Sequence, residues 1–449
     1  MFALDVCQLP ATGGSTFAVA AGVFMLIAGV VVTRWARASA GRMSVVVAPL
    51  VLLGGFVLAP SVTDPCSPTT TVVPTTTVAP TTTVAPMTTV APMTTVAPTT
   101  TVVPGDPNLV LEIDTTVLAP VEIGSVTAAD ESFVFELGLF GDVDVHVDWG
   151  DGLADDVNDA GPFSHAYETS GEYIITVSGS LTGFGQDPMI YHGPLIGAEY
   201  LRAVRSFGEL GITSLSLVFF ASVNLIDVPA TLPTTVTNTY GMFADASSFN
   251  QSLNSWDTGL VTNMRYMFYG ASSFNGDVSG WDTGLVSDMS DMFEGASSFN
   301  QSVSGWDTGL VTDMRLMFNG ASSFNQSLNS WDTGLVTNMR IMFTDASSFD
   351  QSLGAWDISM VGNMEYMLDN SALSVANYDA TLNGWADIQQ AKQPNVVLGA
   401  AGLFFSSYGA SAHSELTGCG SRWQITDAGN QDVAPMSLKA DSQLVTIEC

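Results

Sequence analysis

Hydrophobic residues recur every 25 positions, without slippage, from Gly241 to Leu368. Each unit approximates WDTGLVTNMxxMFxxASSFN, with Val or Leu three residues after the final Asn. A fixed period in this range is typical of a solenoid, in which coils that cannot bury a core alone stack on one another. The pattern therefore predicts a stack of coils over residues 241–368.

The first half of each unit predicts a short helix. Val261, Met264, Met267 and Phe268 are spaced three and four residues apart, so one helical face would turn them all inward. Thr262 is a suitable N-cap for this helix.

The second half of each unit predicts an extended segment that pairs with its neighbours in a parallel ladder. Burying one Phe or Met contributes about 1.5–3 kcal/mol, so a coil gains stability only when it is stacked. The Asn after each Phe, beginning with Asn250, predicts either an internal amide ladder or an ordinary turn residue. The predicted core of the repeats comprises Phe249, Trp256, Met264, Met267, Phe268, Phe274, Trp281, Met292, Phe299, Trp306, Phe324 and Trp331.

Residues 107–188 show the period of two that is typical of half-buried strands. In VDVHVDWGDG (143–152), valines alternate with polar residues before a glycine-containing turn. The spacing of this segment, HAY (165–167) and SGEYIITV (170–177) resembles PKD-type immunoglobulin-like domains. The resemblance implies an all-β sandwich that serves as a spacer.

Two apolar segments near the N-terminus, at 16–34 and 44–60, predict membrane insertion. Arg34, Arg37 and Arg42 place the loop between them in the cytoplasm by the positive-inside rule, so the chain after about residue 61 is exported. If Met43 is the true start instead of Met1, the second segment is a signal peptide, and export still follows.

The N-terminal segment 1–15 contains LPATGG, which resembles the LPxTG sorting signal of Gram-positive surface proteins. The family carries this signal at the C-terminus, whereas here it precedes the apolar segments. The motif is therefore inert, superseded by a start at Met43, or fused from a neighbouring gene. Its residues are Leu9, Pro10, Thr12 and Gly13.

A low-complexity stalk occupies residues 67–105. From Thr69 to Pro104 a hexad such as TTTVAP repeats without charge, and its prolines block helices and central strands. In polyproline II geometry the segment would span roughly 110 Å at about 3.1 Å per residue. We interpret it as a disordered spacer, either O-glycosylated or unmodified.

The charge balance limits the partners. Asp and Glu total 44 against 11 Lys and Arg, a formal net charge of −33, which disfavours nucleic acids and anionic lipid surfaces. Outside the cell, Cys419 and Cys449 would form a disulfide; the alternative is two free thiols.

The tripeptide Asp-Thr-Gly at Asp257, repeated at 282, 307 and 332, also occurs in pepsin-like proteases. Those enzymes bring two carboxylates together, whereas stacked coils hold equivalent residues in a row about 4.8 Å apart. The four His form no metalloprotease motif. Asp148 and Asp151 either bind a cation or shape their loop through backbone hydrogen bonds, which we favour. We therefore expect no enzyme, no cofactor and no metal site.

The repeats resemble BspA-like leucine-rich-repeat surface proteins, whose units have the form WDVSNVTNMSYMFxGASSFNQ. This resemblance implies a right-handed α/β solenoid over 241–368, entered through degenerate coils at 189–240 and closed by a cap at 369–449. Members of the family resemble secreted or wall-bound adhesins. The complete prediction is a mixed fold of N-terminal transmembrane helices, stalk, all-β sandwich and solenoid.

Positions that vary between otherwise similar coils predict the binding face. They include Arg265, Tyr266, Arg315 and Arg340, whose arginines suggest an anionic partner. The predicted small polar positions are Ser252, Asn254, Ser279, Ser304 and Asn329. We expect a cell-surface, adhesin-like protein that binds an extracellular protein or glycan through many weak contacts. The alternative is a structural or self-associating surface-layer protein without a specific ligand.

Overall fold

The computed structural model describes residues 106–117, 133–190 and 193–432. The sorting-like motif, both apolar N-terminal segments, the stalk and Cys449 lie outside the described residues. Within the described part, no helix has the length and apolar character that a membrane crossing requires.

Six strands of the described chain form one antiparallel sheet in the spatial order β3-β2-β5-β1-β6, with β4 beside β2. The long strand β2 pairs with β5 on both sides of a register shift between Phe140 and Val143, with β4 before the shift and with β3 after it. The strands are β1 (Leu109–Asp114), β2 (Phe133–Asp148), β3 (Ala154–Val157), β4 (Gly161–Tyr167), β5 (Glu172–Phe184) and β6 (Leu201–Phe207).

This sheet differs from the predicted sandwich in two respects. Its strands form one hydrogen-bonded network instead of two separate sheets, because β2 bends at Gly141 (φ 76°) and pairs with other strands on both sides of the bend. The sheet also extends beyond the predicted boundary at residue 188, since β6 pairs with β1 from Leu109↔Phe207 onward. Residues 185–200 separate β6 from β5 in the chain, so the sequence pattern assigned β6 to the entry coils.

The coils continue the hydrogen bonding of the sheet. Parallel bridges run from Gly183 on β5 to Ser214, then to Asn238 and Asn263. Further along, Phe268, Phe293, Phe318 and Phe343 donate their backbone N–H to the carbonyl of the residue 24 positions later, at 2.8–2.9 Å. Consecutive coils therefore stack in parallel, and the bridges between Asn238 and Asn363 keep a constant step of 25 residues.

The helix predicted in each unit does not form: residues 241–368, all of them described, contain turns and isolated bridges instead. The N–H of Phe268 bonds to Met292 of the next coil, so it is not available to a residue four positions earlier. Tyr266, between the two methionines, has a left-handed conformation (φ 59°), which interrupts any right-handed helix. Thr262 does not cap a helix, because its hydroxyl donates to Thr237 O at 3.2 Å. The α part of the predicted α/β repeat is therefore wrong.

The buried side chains of the repeats form columns. All of the predicted core residues are at most 3 % exposed. In one column, the ring centroids of Phe268, Phe293 and Phe318 are separated by 5.5 and 5.7 Å. In another, Trp306 stacks on Trp281 at 6.0 Å and donates its Nε1–H to Val278 O at 3.1 Å.

The asparagines after each Phe form the amide ladder. Asn250 Oδ1 accepts the N–H of Asn275 at 2.7 Å, and this contact repeats at each step as far as Asp350. Asp350 Oδ1 then accepts the N–H of Ser374 at 2.7 Å and Nδ2–H of Asn377 at 2.8 Å. The ladder therefore ends on the residue that caps the first helix.

The C-terminal segment closes the stack with two helices, α1 (Val375–Ala386) and α2 (Ala410–Thr417), and the parallel strands β7 (Val397–Gly399) and β8 (Gln424–Thr426). Ser374 is the N-cap of α1. Cys419 is disulfide-bonded, and its partner lies outside the described residues because Cys419 is the only cysteine within them. The pairing with Cys449 stays a prediction.

We predict that Trp306→Ala lowers the free energy of unfolding by about 3–5 kcal/mol, because it leaves a cavity within the stacked column. Trp306→Phe should cost less, about 0.5–1.5 kcal/mol, because it removes one hydrogen bond to Val278 O, which still accepts the N–H of Trp281 at 3.3 Å. Urea denaturation of the full-length chain measures both. Asn329→Ser, which introduces the residue found one coil earlier, is the control and should change nothing. Equal stability of Trp306→Ala and the control would refute the shared core.

We also predict that Asp350→Asn destabilises the chain at neutral pH by about 1 kcal/mol. Burial alone would raise the pKa of Asp350, but hydrogen bonds from Ser374 and Asn377 lower it below its ordinary value. A lowered carboxyl pKa stabilises the fold above the ordinary value, and this contribution is lost as the pH falls through the lowered pKa. The difference from wild type should therefore shrink in acid, whereas Asp142→Asn, at an exposed carboxyl of β2, should show none at any pH.

Candidate binding face of the repeat stack

The Asp-Thr-Gly corner has a structural role in each coil. Asp257 Oδ1 accepts the N–H of Gly259 at 3.2 Å, and Thr258 Oγ1 donates to Asp282 O of the next coil at 2.8 Å. The same two contacts recur in the following coils. The aspartate therefore fixes a turn and the buried threonine ties one coil to the next, so the resemblance to a protease site is confined to the tripeptide.

The predicted arginines are paired with carboxylates. Arg265 lies 3.5 Å and Arg315 4.0 Å from the carboxylate of Asp291, whose side chain is only 3 % exposed. Arg315 also contacts Asp313 at 3.1 Å. Arg340 approaches Glu365 at 3.4 Å. Because these positive charges are already neutralised, the suggestion of an anionic partner loses its support.

Asp291 is the central carboxylate of this group. Burial raises its pKa, while the charges of Arg265 and Arg315 act in the opposite direction without cancelling the effect of burial. The sequence pattern treated Asp291 as one of several variable positions. Its partners come from the preceding and following coils, so only the register of the stack reveals the triad.

A tyrosine-lined cleft lies next to Arg265. The ring centroids of Tyr240 and Tyr266 are 5.5 Å apart, and those of Tyr266 and Tyr269 are 5.7 Å apart, both edge to face. The guanidinium of Arg265 lies 4.7 Å from the centre of the Tyr266 ring and donates to its hydroxyl at 3.2 Å. The cleft encloses about 380 Å³ and is lined by Leu217, Phe220, Tyr240, Ala244, Asp245, Tyr266 and Tyr269.

Sequence reasoning found Tyr266 but missed Tyr240 and Tyr269. Tyr240 precedes Arg265 by one full period, so the position was readable, although it belongs to the coil before the first complete unit. Asp245, at the edge of the cleft, has its pKa raised by burial. The cleft is thus largely aromatic with few polar groups, the usual composition of a small-ligand site.

The side chain of Tyr266 is held by an unusual backbone conformation. Its φ of 59° recurs at Asp291 (62°), Leu316 (58°), Ile341 (61°) and Tyr366 (59°). A left-handed conformation costs a non-glycine residue about 1–2 kcal/mol, which the buried methionines on either side offset. In the coil of Tyr240, Gly241 occupies this position without that cost.

The predicted Ser and Asn positions do not join this face. Ser252, Asn254, Ser279, Ser304 and Asn329 are exposed, but Ser252 and Asn254 precede Arg265 by about half a period. They therefore line a different side of the coils. Part of their hydrogen bonding is internal, since Asn254 Oδ1 accepts the N–H of Gly280 at 2.5 Å.

The acidic loop of the sheet is also satisfied internally. Asp148 Oδ1 accepts the N–H of Gly150 at 2.9 Å, and Asp151 Oδ1 accepts that of Leu153 at 3.0 Å. Asp151 Oδ2 lies 2.8 Å from Nε2 of the buried His165. Burial opposes ionisation of Asp151, but the bonds from His165 and Leu153 leave its pKa lowered. Among the described residues, no cluster of three or more His, Cys, Asp or Glu side chains suits a metal ion.

Comparison with known proteins identifies one matching family. A family described as "Mycoplasma protein of unknown function, DUF285" matches residues 213–314 and 277–385, less than half of the chain. The match supports a surface-protein repeat family for this segment and does not address the leucine-rich-repeat, PKD-type or LPxTG resemblances. No curated protein and no solved structure matches the chain.

We predict that Asp291→Asn raises the free energy of unfolding at neutral pH, because it removes a charge that burial disfavours. A raised carboxyl pKa favours the folded chain below the ordinary value of 3.8, and that advantage is lost as the pH rises through the raised pKa. The gain should therefore vanish in acid. Urea denaturation at both pH values measures it, and Asp288→Asn, which introduces the Asn of the preceding coil, serves as control. A less stable Asp291→Asn at neutral pH would show that its ion pairs outweigh its burial.

Proposed function

We propose that this chain is an exported, non-enzymatic surface protein whose repeat stack binds an extracellular glycan, with the tyrosine cleft as the principal contact. The observation that carries the proposal is the cluster of Tyr240, Tyr266 and Tyr269 around a cleft of about 380 Å³. A sugar presents both C–H faces and hydroxyl groups. Aromatic rings with hydroxyl tips match both, because each offers an apolar body and a polar end.

The electrostatics favour a neutral ligand. Arg265, the nearest cation, is shared between Asp291 and the hydroxyl of Tyr266. The chain has a net charge of −33, which opposes the approach of polyanions. An uncharged or weakly charged glycan avoids this repulsion.

Export and surface display are part of the proposal and rest on the sequence. The apolar segments at 16–34 and 44–60, with the arginines between them, direct the rest of the chain outward. The Thr/Pro stalk would separate the binding stack from the cell envelope.

A cleft of this size implies modest affinity from each molecule. A ligand that contacts one aromatic cluster and then continues along the columns gains strength from repeated weak contacts. This fits the adhesin-like function expected from the repeats better than a purely structural role, which needs no cleft.

We predict that Tyr266→Ala abolishes retention of glycans on an array probed with the full-length chain, or weakens it about tenfold or more, because the central ring of the cleft is lost. Tyr366→Ala is the matched control: Tyr366 has the same position and φ in the last coil but lies outside the cleft. Retention that survives in both variants would place the glycan site elsewhere. Absence of any glycan binding, with concentration-dependent assembly instead, would favour the surface-layer alternative.

A further inference from the structure

An exposed apolar column follows one corner of the stack. The four Asp-Thr-Gly turns and the Asp-Ile-Ser turn at Asp357 are each followed by a large apolar residue: Leu260, Leu285, Leu310, Leu335 and Met360, which are 48–55 % exposed. Their neighbours in the chain, such as Thr258 and Val261, are buried, so these side chains have no route into the core. Equivalent rings of neighbouring coils lie 5.5–6.0 Å apart, so the five side chains form one continuous strip. Contiguous exposed apolar surface of this kind marks interaction sites.

The local turn does not require an apolar residue. The N–H of Val261 donates to Thr258 O at 2.8 Å, so Leu260 is the third residue of a β-turn, where polar residues are usual. In the most divergent coil the turn changes from Thr-Gly-Leu to Ile-Ser-Met, yet the exposed position remains large and apolar. Turn geometry therefore gives no reason for the strip.

A row of carboxylates borders the strip. Asp257, Asp282, Asp307, Asp332 and Asp357 each bond through Oδ1 to a backbone N–H of their own turn, at 2.9–3.2 Å. In the described part of the chain none of the five takes part in an ion pair, in contrast to the carboxylates around Arg265. Their charges are thus uncompensated beside an apolar strip.

Glycines form the floor between the two rows. Gly259 has no left-handed φ, and an added Cβ would only touch Asp257 Oδ1 and Asp282 Oδ2 at 3.4 Å. Neither the backbone nor lack of room therefore demands glycine there. Glycine places no side chain between the carboxylates and the apolar side chains, and we call the surface between these two rows the channel.

We propose that this channel binds a basic amphipathic helix from another molecule, with leucine-like residues on the apolar strip and Lys or Arg on the aspartate row. A helix rises about 5.4 Å per turn, close to the 5.5–6.0 Å between equivalent rings of neighbouring coils, so each turn meets roughly one coil. An extended strand repeats each face every 6.6–6.8 Å, about two residues, and falls out of step. A second copy of this chain would oppose one aspartate row with another, which like charges disfavour.

The test uses the immobilised full-length chain and a synthetic peptide of about 18 residues made of Leu and Lys, with all leucines on one helical face, enough for five turns. Surface plasmon resonance should show binding that weakens about tenfold or more near 1 M salt, where the Debye length is about 3 Å. Circular dichroism should show the peptide becoming helical on binding. A peptide of the same composition in scrambled order should bind at least tenfold more weakly.

Variants separate the two rows. Leu285→Ser with Leu310→Ser should weaken binding about tenfold while the salt dependence persists. Asp282→Asn with Asp307→Asn should weaken it and flatten the salt dependence. Leu153→Ser, at an exposed leucine of the sheet, is the matched control and should bind as wild type. Tyr266→Ala should also bind as wild type, so failure of the glycan proposal leaves this result intact.

Three results would overturn the proposal. Equal binding of the ordered and scrambled peptides would mean attraction by net charge alone. Unchanged binding in the leucine variant would exclude the apolar strip as the contact. A dimer of the chain that dissociates in the leucine variant, without peptide binding in either, would assign the strip to a second copy.

Discussion

The whole repeat region depends on the hydrogen bonds and ring contacts between neighbouring coils. A single coil has no helix and no strand longer than a bridge, and its inward rings contact only each other, as Phe268 and Phe274 do at 3.9 Å, so it cannot be stable alone. Stacking supplies three kinds of contact together: backbone hydrogen bonds such as that from Phe268 to Met292, the ring columns, and the amide ladder that begins at Asn250. The sheet is the first surface on which this stacking begins, because β5 bridges to Ser214.

Constant register turns every outward position into a column, and this is what creates binding surfaces. A residue that would be an isolated point on an ordinary surface, such as Leu260, becomes one member of a strip. A varied position gives a column with mixed chemistry instead, as where Tyr266 precedes Asp291 and Leu316. The left-handed backbone at that column makes each side chain project at a fixed place, so exchange of residues changes the chemistry without changing the geometry.

The sequence predicted the buried columns more accurately than it predicted the local backbone conformation. The period alone identifies the buried Phe, Trp and Met, because burial depends on register and the register is the period. The helix prediction was wrong because the spacing of Val261, Met264, Met267 and Phe268 is compatible with two successive turns as well as with a helix. Apolar spacing cannot distinguish them, and the left-handed Tyr266 is visible only in the fold. The pairing of Arg265 with Asp291 was missed for a related reason: their separation of about one period is meaningless until coils are known to be adjacent.

The distribution of the few cations separates the two proposed sites. With 11 basic residues against 44 acidic ones, most carboxylates must remain unpaired somewhere. The arginines of the repeats each immediately precede a residue of the left-handed column, and they pair there with Asp291, Asp313 and Glu365. At the turn column, by contrast, the five aspartates form no ion pair within the described residues and lie beside the exposed apolar strip. One side of the coil is therefore aromatic with paired charges, and the other is acidic and apolar. A single repeated sequence thus offers two chemically distinct surfaces. A ligand suited to one is poorly suited to the other, because a basic ligand would find no matching charge on the aromatic side and a neutral ligand would leave the aspartates unpaired.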